Sequence, residues 1–444
     1  MNLLYFKKGG LTSFQIIILG FLAVILLGTL LLMMPFSSRG GIATPFMDAL
    51  FTSVSAVCVT GLVVYDTASY WSGLGQFIIM LLIQIGGMGI ITVVASFSMI
   101  SGRRISLMQR STIQEAVAAP KVGGIVRLTG FIVKITLIIE LLGAAIMAPV
   151  FCCDFGSIGL WMALFHSVSA FCNAGFDIMG KAGPFSSLTG YASDPLINLT
   201  VIFLIIIGGI GFLTWDDIRE NGIHLRRYRM QSKVILCTTL ILLVIPSVYF
   251  FFFEFTDFDL AKRVLSSVFQ SATTRTAGFN TVDFTAISEP GQYIIIFLML
   301  IGGSPGSTAG GMKTTTAAVL FGTAVSTFFR REHICFFGRR IGDNVVKNAA
   351  TILIMYLVMF FSAGLVISTV EGLPMLVCLF ETASAMGTAG LSLGITAGLK
   401  TVSKIILIIL MFTGRVGGLT VIFATLIETR KNISKFPQER ITVG

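Results

Sequence analysis

The chain has 444 residues, of which 55% are hydrophobic and only 12% are charged. With a mean hydropathy of +0.91, a soluble domain of this composition would expose large apolar patches to water. The net charge of +10 does not indicate nucleic-acid binding, because the basic residues fall in alternate connections between apolar runs. The composition therefore predicts an integral membrane protein.

Long apolar runs recur along the chain, at residues 14–34, 77–99, 196–213 and 405–427. Each run approaches the roughly 20 residues that a helix needs to cross a bilayer. The first run follows Lys7 and Lys8, but it is too long for a signal-peptide core and no small-residue cleavage site follows it. We therefore expect a retained first helix.

The distribution of basic residues predicts the orientation in the membrane. One set of connections is rich in arginine and lysine, at 103–127, 219–233, 330–347 and 430–440, whereas the opposite set holds few. Basic loops stay on the cytoplasmic side of a membrane. We expect a multi-pass protein of the plasma membrane with both termini in the cytoplasm.

A short motif returns four times at nearly constant spacing. It occupies residues 51–62 (FTSVSAVCVTGL), 165–176 (FHSVSAFCNAGF), 268–279 (VFQSATTRTAGF) and 380–391 (FETASAMGTAGL). The copies align without a gap on one glycine, which is Gly61, Gly175, Gly278 or Gly390. A single copy could be an unrelated loop, but four copies in register indicate four versions of one unit.

The apolar stretch before each motif glycine is only about a dozen residues long, which is too short to span a bilayer. It is typical of a half-helix that dips into the membrane and returns. Helix-start chemistry precedes two copies, with Thr44, Pro45 and Asp48 before the first and Pro374 before the fourth. We predict pore helices whose negative C-terminal ends point toward the membrane centre, where they would stabilise a cation.

A second glycine cluster follows each motif inside an apolar run. Small residues at this spacing let membrane helices pack closely, and we interpret close packing as their main role. The clusters are Gly86, Gly87 and Gly89; Gly208, Gly209 and Gly211; Gly302, Gly303 and Gly306; and Gly414, Gly417 and Gly418.

The predicted fold class is an all-α polytopic membrane protein. Four tandem repeats of helix, pore loop and helix would supply eight spanning helices and four re-entrant pore helices around a central pore, as in potassium channels. The predicted boundaries are an N-terminal cytoplasmic segment at 1–13, repeat 1 at 14–99, a linker at 100–126, repeat 2 at 127–218, a linker at 219–232, repeat 3 at 233–329, a linker at 330–346, repeat 4 at 347–429 and a cytoplasmic tail at 430–444.

A cation that crosses a bilayer must exchange its hydration shell for protein oxygens, and backbone carbonyls can supply them where glycine permits positive φ. None of the candidates is acidic, and a neutral carbonyl filter favours a weakly hydrated monovalent ion, which in cells is potassium. Each loop has one aligned glycine where potassium channels carry two, which predicts looser selectivity. The candidate carbonyl donors are Val59, Thr60 and Gly61; Asn173, Ala174 and Gly175; Thr276, Ala277 and Gly278; and Thr388, Ala389 and Gly390.

The loops VCVTG, FCNAG, TRTAG and MGTAG, with an interrupted third inner helix, resemble those of the TrkH, KtrB and HKT superfamily of potassium translocators. The resemblance covers nearly the whole chain and is greatest to the KtrB type. It implies the ion-translocating subunit of a potassium uptake system, stimulated by Na⁺, in a homodimer whose chains each enclose a pore. A less selective Na⁺/K⁺ channel or a K⁺/Na⁺ symporter of the same architecture is the alternative.

The same resemblance implies a cytoplasmic nucleotide-binding regulatory ring of the KtrA type. ATP, ADP or NAD would then act only through that partner. We expect no cofactor in this chain and no bound metal other than K⁺ or Na⁺, and the remaining contacts are with the lipid bilayer.

The third inner helix begins at Tyr293 and is interrupted by residues 301–316 (IGGSPGSTAGGMKTTT). Irregular backbone at membrane depth is tolerated only where protein encloses it or where it lines a cavity, which favours a mobile segment in the pore over an ordinary cytoplasmic connection. The resemblance implies that 302–316 is an intramembrane gating loop. Its residues would include Gly302, Gly303, Ser304, Gly306, Ser307, Gly310, Gly311 and Lys313.

Two arginines fall where charge should be buried, and buried charge in a membrane is costly and usually functional. Arg275 directly precedes the third filter strand, and we expect it to pair with an acid near another pore helix, for which Glu381 is the candidate. Arg415 lies in the glycine cluster of the fourth inner helix. We expect it to act as an electrostatic barrier and latch at the gating loop, with a snorkelling arginine as the alternative.

Several other classes are excluded. Gly306 and Gly311 have the separation of a phosphate-binding loop, but Met312 intervenes before Lys313 and no soluble sheet surrounds them. No helix has the arginine periodicity of a voltage sensor, and the copies share one orientation, unlike inverted transporter repeats. The scattered histidines and cysteines lack metal-site spacing, so we predict no enzyme and expect His166 to pack within the second pore helix.

Overall fold

The computed structural model describes residues 12–100, 106–117, 123–180 and 183–418. The segment before residue 12 and the tail predicted at 430–444 lie outside the described residues, as does the last part of repeat 4. Within the described ranges the regular structure is helical, apart from a hairpin of β1 (Cys335–Phe336) and β2 (Arg339–Arg340) between repeats 3 and 4. The chain is an all-α membrane protein, as predicted.

Each of the first two repeats consists of a long helix, a short pore helix and a second helix in two parts. Repeat 1 contains α1 (Ser13–Met33), α2 (Phe46–Val57), α3 (Thr67–Tyr70), α4 (Gly73–Met88) and α5 (Ile90–Ile100), and α6 (Leu107–Val117) follows in the linker. Repeat 2 contains α7 (Ile125–Phe155), α8 (Ile158–Phe171), α9 (Pro195–Gly209) and α10 (Phe212–Asn221).

The last two repeats keep the order of long helix, pore helix and second helix, as far as residue 418. Repeat 3 contains α11 (Met230–Tyr249) with a π-helical extension (Phe250–Glu254), α12 (Leu260–Thr273), α13 (Glu289–Leu300) and α14 (Thr314–Phe328). Repeat 4 contains α15 (Asp343–Glu371), α16 (Met375–Gly387) and α17 (Thr401–Val416). The pore helices are α2, α8, α12 and α16.

Helix length and composition separate the spanning helices from the pore helices. Among the described residues, α1, α7, α11 with its extension and α15 are each long and apolar enough to cross a bilayer. The helix pairs α4–α5 and α9–α10 are also long and apolar enough to cross a bilayer if each pair is counted as one span, although each pair is bent by 96°. The pair α13–α14 and helix α17 occupy the corresponding places in repeats 3 and 4.

The second helices differ from the prediction, which placed an interruption in repeat 3 alone. The helices of repeats 1 and 2 break at Gly89 (φ +83°) and Gly211 (φ +90°), and α17 ends at Gly417 with φ +90°. A residue in this left-handed region cannot continue a right-handed helix, and glycine adopts the conformation without strain. These glycines therefore break the helix, and repeat 3 differs by the length of its break.

The repeats form a closed circle. The second helix of each repeat packs against the pore helix of the next, in the pairs α4–α8, α9–α12, α13–α16 and α17–α2. Within a repeat, glycine lets the second helix lie close to the C-terminal end of the pore helix. A Cβ on Gly86, Gly208 or Gly414 would collide with a carbonyl at that end of the pore helix. The pore-helix ends are thus held around one axis.

Candidate ion filter and gate

Proline residues begin the first and last pore helices, as predicted. Pro45 and Pro374 are the N-cap residues of α2 and α16. Asp48 lies in the first turn of α2, where a carboxylate interacts favourably with the positive end of the helix. The Thr44 hydroxyl lies 3.1 Å from the Tyr70 hydroxyl instead of capping the helix.

The filter strands are the three-residue segments that end at each motif glycine, at 59–61, 173–175, 276–278 and 388–390. Their backbone conformation is equivalent in the four repeats. The motif glycine has positive φ in every repeat, and so does the residue two positions earlier, whereas the residue between them does not. Such alternation turns successive carbonyls toward one side of the strand. The non-glycine residues with positive φ are Val59 (57°), Asn173 (58°), Thr276 (76°) and Thr388 (52°). This conformation is costly for non-glycine residues, and its fourfold recurrence marks a functional site.

The four motif glycines face one another around a single axis. A Cβ added to any of them would meet a backbone atom of the next repeat at less than van der Waals distance. The circle is closed, because repeat 1 meets repeat 2 and repeat 4 meets repeat 1. The nearest residues are Ala174 for Gly61 (2.5 Å), Gly278 for Gly175 (2.7 Å), Ala389 for Gly278 (2.7 Å) and Thr60 for Gly390.

Backbone hydrogen bonds anchor each strand to its pore helix. The amide before the motif glycine donates to a carbonyl in the last turns of the helix, with distances of 2.8 Å for Thr60 to Ser55, 2.8 Å for Ala174 to Ser169, 2.9 Å for Ala277 to Thr273 and 2.7 Å for Ala389 to Ser384. The structure thus brings all the predicted carbonyl donors into one ring of strands. The Thr276 and Thr388 hydroxyls form no hydrogen bond with any described protein atom.

An acidic vestibule opens on one side of the ring. It has a volume of about 240 Å³, and its lining includes the four motif glycines together with Asp66, Asp177 and Asp283. Burial and the nearby charge of Asp66 raise the pKa of Asp177 to about 7, although a hydrogen bond from the Met179 amide acts in the opposite direction. Sequence reasoning missed these aspartates, although extending the repeat alignment a few residues past the glycine would have found them.

Residues 301–313 form a loop that lies against the opposite side of the ring. The Thr308 hydroxyl donates to the Phe171 carbonyl at 3.0 Å, and the Gly311 amide donates to the Gly414 carbonyl at 3.1 Å. A Cβ on Gly310 would collide with the side chain of Thr388 in the filter. The predicted gating loop thus lies beneath the filter and is attached to repeats 2 and 4.

Arg415 joins this loop to repeats 4 and 1. Its guanidinium donates to the carbonyls of Thr308 and Gly86, and also to the Gly87 carbonyl at 3.1 Å. The side chain does not snorkel, since its donors are directed at backbone carbonyls. Lys313 donates to the Ala309 carbonyl at 2.9 Å, and both cations line a cavity of about 420 Å³ on the side away from the vestibule.

The predicted ion pair between Arg275 and Glu381 is not formed, although both residues are described. Arg275 is buried and donates to the Thr239 carbonyl of α11 at 3.2 Å. Glu381 instead accepts hydrogen bonds from Ser392 and Thr396. The prediction failed because equivalent repeat position does not determine side-chain direction, and Arg275 points outward to its own repeat.

A further polar cluster was missed altogether. Glu140 is buried in the middle of α7, where it accepts a 3.0 Å hydrogen bond from Gln84 of α4. The thiol of Cys172, the residue directly before the second filter strand, lies 3.8 Å from the same carboxylate. An acidic residue within an apolar run was the available signal. The contacts link repeats 1 and 2 behind the filter.

Pore helices whose filter strands close around one axis define a four-repeat membrane pore for cations. The chain matches the model of the TrkH family, described as cation transport proteins, over residues 8–435. It belongs to this family and is a transport protein, not an enzyme.

Two relatives agree with this assignment, and a solved structure has the same fold. The chain is 38% identical to the potassium/sodium uptake protein NtpJ of Enterococcus hirae over 98% of both chains. It is 35% identical to the Ktr system potassium uptake protein B of Bacillus subtilis, covering 97% of this chain and 96% of that protein. The crystal structure of the potassium transporter TrkH from Vibrio parahaemolyticus has the same fold, with a TM-score of 0.74 at 20% identity over 95% of this chain and 86% of that one.

Proposed function

We propose that this chain is the ion-translocating subunit of a potassium uptake system, in which K⁺ passes along the axis of the glycine ring. The closed ring of four strands, with carbonyls as its ligands, is the observation that carries the proposal. Neutral carbonyl oxygens can replace the shell of a weakly hydrated cation. The names of the B. subtilis and E. hirae relatives, which both refer to potassium uptake, support the same ion.

In this proposal the loop at 301–313 and Arg415 form the gate. The loop lies across the end of the filter, and Arg415 holds it through the Thr308 carbonyl. A fixed guanidinium in the ion path repels a cation electrostatically. Opening would require the loop to leave Arg415 and the glycines of repeats 2 and 4.

The acidic vestibule would face the outside of the plasma membrane and the basic termini the cytoplasm, in line with the distribution of arginine and lysine. We also propose that the chain works as a homodimer with a cytoplasmic nucleotide-binding ring. The word "system" in the name of the B. subtilis relative supports a transporter of several components. Sodium stimulation is supported by the potassium/sodium uptake name of the E. hirae relative.

That same relative favours a second candidate, a monovalent cation pathway that admits both Na⁺ and K⁺. A single glycine in each filter strand is compatible with it, because fewer positions in the strand can adopt positive φ without strain.

Uptake of radioactive rubidium, potassium and sodium into vesicles containing the purified protein would test both candidates. The expected result is uptake of K⁺ and Rb⁺ well above Na⁺, and comparable uptake of all three would favour the second candidate. In Gly278→Ala, the new Cβ would lie 2.7 Å from the Ala389 carbonyl oxygen, so uptake should be lost. Gly41→Ala is the matched control, because this glycine also has positive φ (+65°) but has no atom near its Cβ position. Wild-type protein that ignores potassium would refute the proposal.

A further inference from the structure

A set of buried polar side chains lies behind the filter. In three repeats, a pore-helix residue eight or nine positions before the motif glycine is hydrogen-bonded to the segment that follows that glycine by two or three positions. We call these side chains the filter braces. They are Glu381 in repeat 4, His166 in repeat 2 and Gln270 in repeat 3, and each is fully buried.

The brace of repeat 4 makes the most contacts. Glu381 accepts hydrogen bonds from the Ser392 hydroxyl and, at 3.1 Å, from the Thr396 hydroxyl. Both donors lie in the wall of the acidic vestibule. Burying a carboxyl group without hydrogen-bond partners costs free energy. The buried position of Glu381 therefore depends on the wall segment that carries Ser392 and Thr396.

The braces of repeats 2 and 3 contact the same segment one position later, three residues after the glycine. His166 Nδ1 lies 2.7 Å from the Met162 carbonyl, so that nitrogen carries the proton, and Nε2 accepts from the Ile178 amide at 3.3 Å. Gln270 donates to the Thr281 hydroxyl at 3.2 Å. Three different residue types thus make one contact, which indicates that its position matters more than its chemistry.

Among the residues that the structure describes, repeat 1 has no brace at this position. Thr52 is the equivalent residue, and its hydroxyl returns to the Asp48 carbonyl of its own helix at 2.9 Å. The segment after Gly61 is instead held from the start of the pore helix, where Asp48 accepts from the Tyr65 hydroxyl at 2.9 Å. The four strands are therefore held by unequal means.

We propose that Glu381 is a positioning residue that sets the ion selectivity of the filter by holding the strand after Gly390, and that His166 and Gln270 do the same in repeats 2 and 3. The proposal rests on the function proposed above. A carbonyl ring selects between ions through the positions and rigidity of its ligands. Glu381 holds Ser392, two residues from Gly390, and Gly390 in turn touches the Thr60 carbonyl of repeat 1.

A double-mutant cycle distinguishes this role from a merely structural one. Glu381→Gln keeps the size of the side chain but turns an amide donor toward groups that are themselves donors. Ser392→Ala removes the hydroxyl from the other side of the contact. The readout is the ratio of Rb⁺ to Na⁺ uptake in vesicles, which a change in the amount of folded protein leaves unaltered. Each variant is expected to lower this ratio about tenfold, the effect of losing one buried hydrogen bond to a charged group.

The double variant should lower the ratio about as much as either single variant, because both substitutions break the same contact. Glu371→Gln is the matched control. This glutamate of α15 accepts from the Lys400 amide at 2.9 Å and from the Ser403 hydroxyl, and so joins helices of repeat 4 away from the vestibule. Its ratio should equal that of the wild type.

Unchanged ratios in Glu381→Gln and Ser392→Ala would overturn the proposal, and so would independent effects that multiply in the double variant. If Glu381→Gln fails to fold, the uptake ratios of Ser392→Ala and Thr396→Val test the proposal instead. Each of these substitutions removes one hydrogen-bond donor to Glu381 and leaves the pore helix unchanged. A wild-type protein without K⁺ or Rb⁺ uptake would instead refute the proposed function, so the two failures are distinguishable.

Discussion

The filter and the gate layer beneath it are built from the same four repeats but differ in symmetry. The filter strands share one backbone conformation in all repeats. Beneath them, repeats 1 and 2 have a single glycine break, repeat 3 has a loop at 301–313 and repeat 4 contributes Arg415. An ion needs ligands on every side, whereas one obstruction closes a path. Fourfold equivalence is therefore kept where the ion is coordinated and lost where one element is enough.

The largest expected effect comes from breaking the equivalence of the filter. Gly175→Ala and Gly390→Ala should each reduce K⁺ uptake roughly hundredfold, because the new Cβ meets backbone of the next repeat and φ is positive. Uptake per folded molecule in vesicles is the measurement. Gly372→Ala is the control, since this glycine has φ +71° and open space around it. Very different losses in the two filter variants would contradict the fourfold equivalence.

The gate layer should respond in the opposite direction. Arg415→Ala removes the donor to Thr308, Gly86 and Gly87, and we expect uptake to rise about tenfold through loss of roughly one charge-assisted hydrogen bond. Uptake rates of folded protein measure it. Arg219→Ala serves as control, because Arg219 pairs with Asp216 at 3.1 Å outside the gate. Unchanged uptake in folded Arg415→Ala would refute the latch.

The vestibule should introduce a pH dependence of uptake. The Asp177 carboxyl has a pKa of about 7, so it is charged above that pH and becomes neutral as the pH falls through it. A carboxylate attracts cations, and its neutralisation should lower uptake at low K⁺ concentration by about two- to threefold. Asp177→Asn should give a profile between pH 6 and 8 that is flatter than that of the wild type. An unchanged profile in this variant would assign the dependence to another group.

The smallest expected effect concerns stability. Lys404 of α17 and Asp48 of α2 form an ion pair at 2.8 Å, and their side chains are only 12% and 13% exposed. Asp48→Asn leaves Lys404 without its charged partner and should lower the free energy of unfolding by about 1–2 kcal/mol. Thermal unfolding in detergent measures the change. The double variant Asp48→Asn with Lys404→Met should recover part of the lost free energy of unfolding. A second loss of equal size in the double variant would contradict direct pairing of the two side chains.

The sequence predicted the features that recur with a fixed residue type. Gly61, Gly175, Gly278 and Gly390 could be found because no side chain fits at the centre of the ring, so the same letter returns in each repeat. The pore helices could be predicted because the apolar stretches are too short to span a bilayer and because Pro45 and Pro374 mark two helix starts. The interruption of repeat 3 was predictable because glycine, serine and proline replace apolar residues there.

Other features depend on geometry that residue identity does not determine. A glycine in an apolar run permits either close packing or a helix break, and positive φ at Gly89 or Gly211 is apparent only in the structure. The partner of Arg275 depends on the direction of its side chain. The filter braces use glutamate, histidine and glutamine for one contact, so a search for a repeated letter could not reveal them.

Closure of the circle between the first and last repeats has a consequence for biosynthesis. Asp48 and Lys404 are separated by 356 residues, and Gly390 completes the ring against Thr60. The first pore helix enters the membrane while its final neighbour has yet to be translated. Until then the ion path is open to lipid on one side, so a chain truncated before repeat 4 should insert in the membrane without conducting.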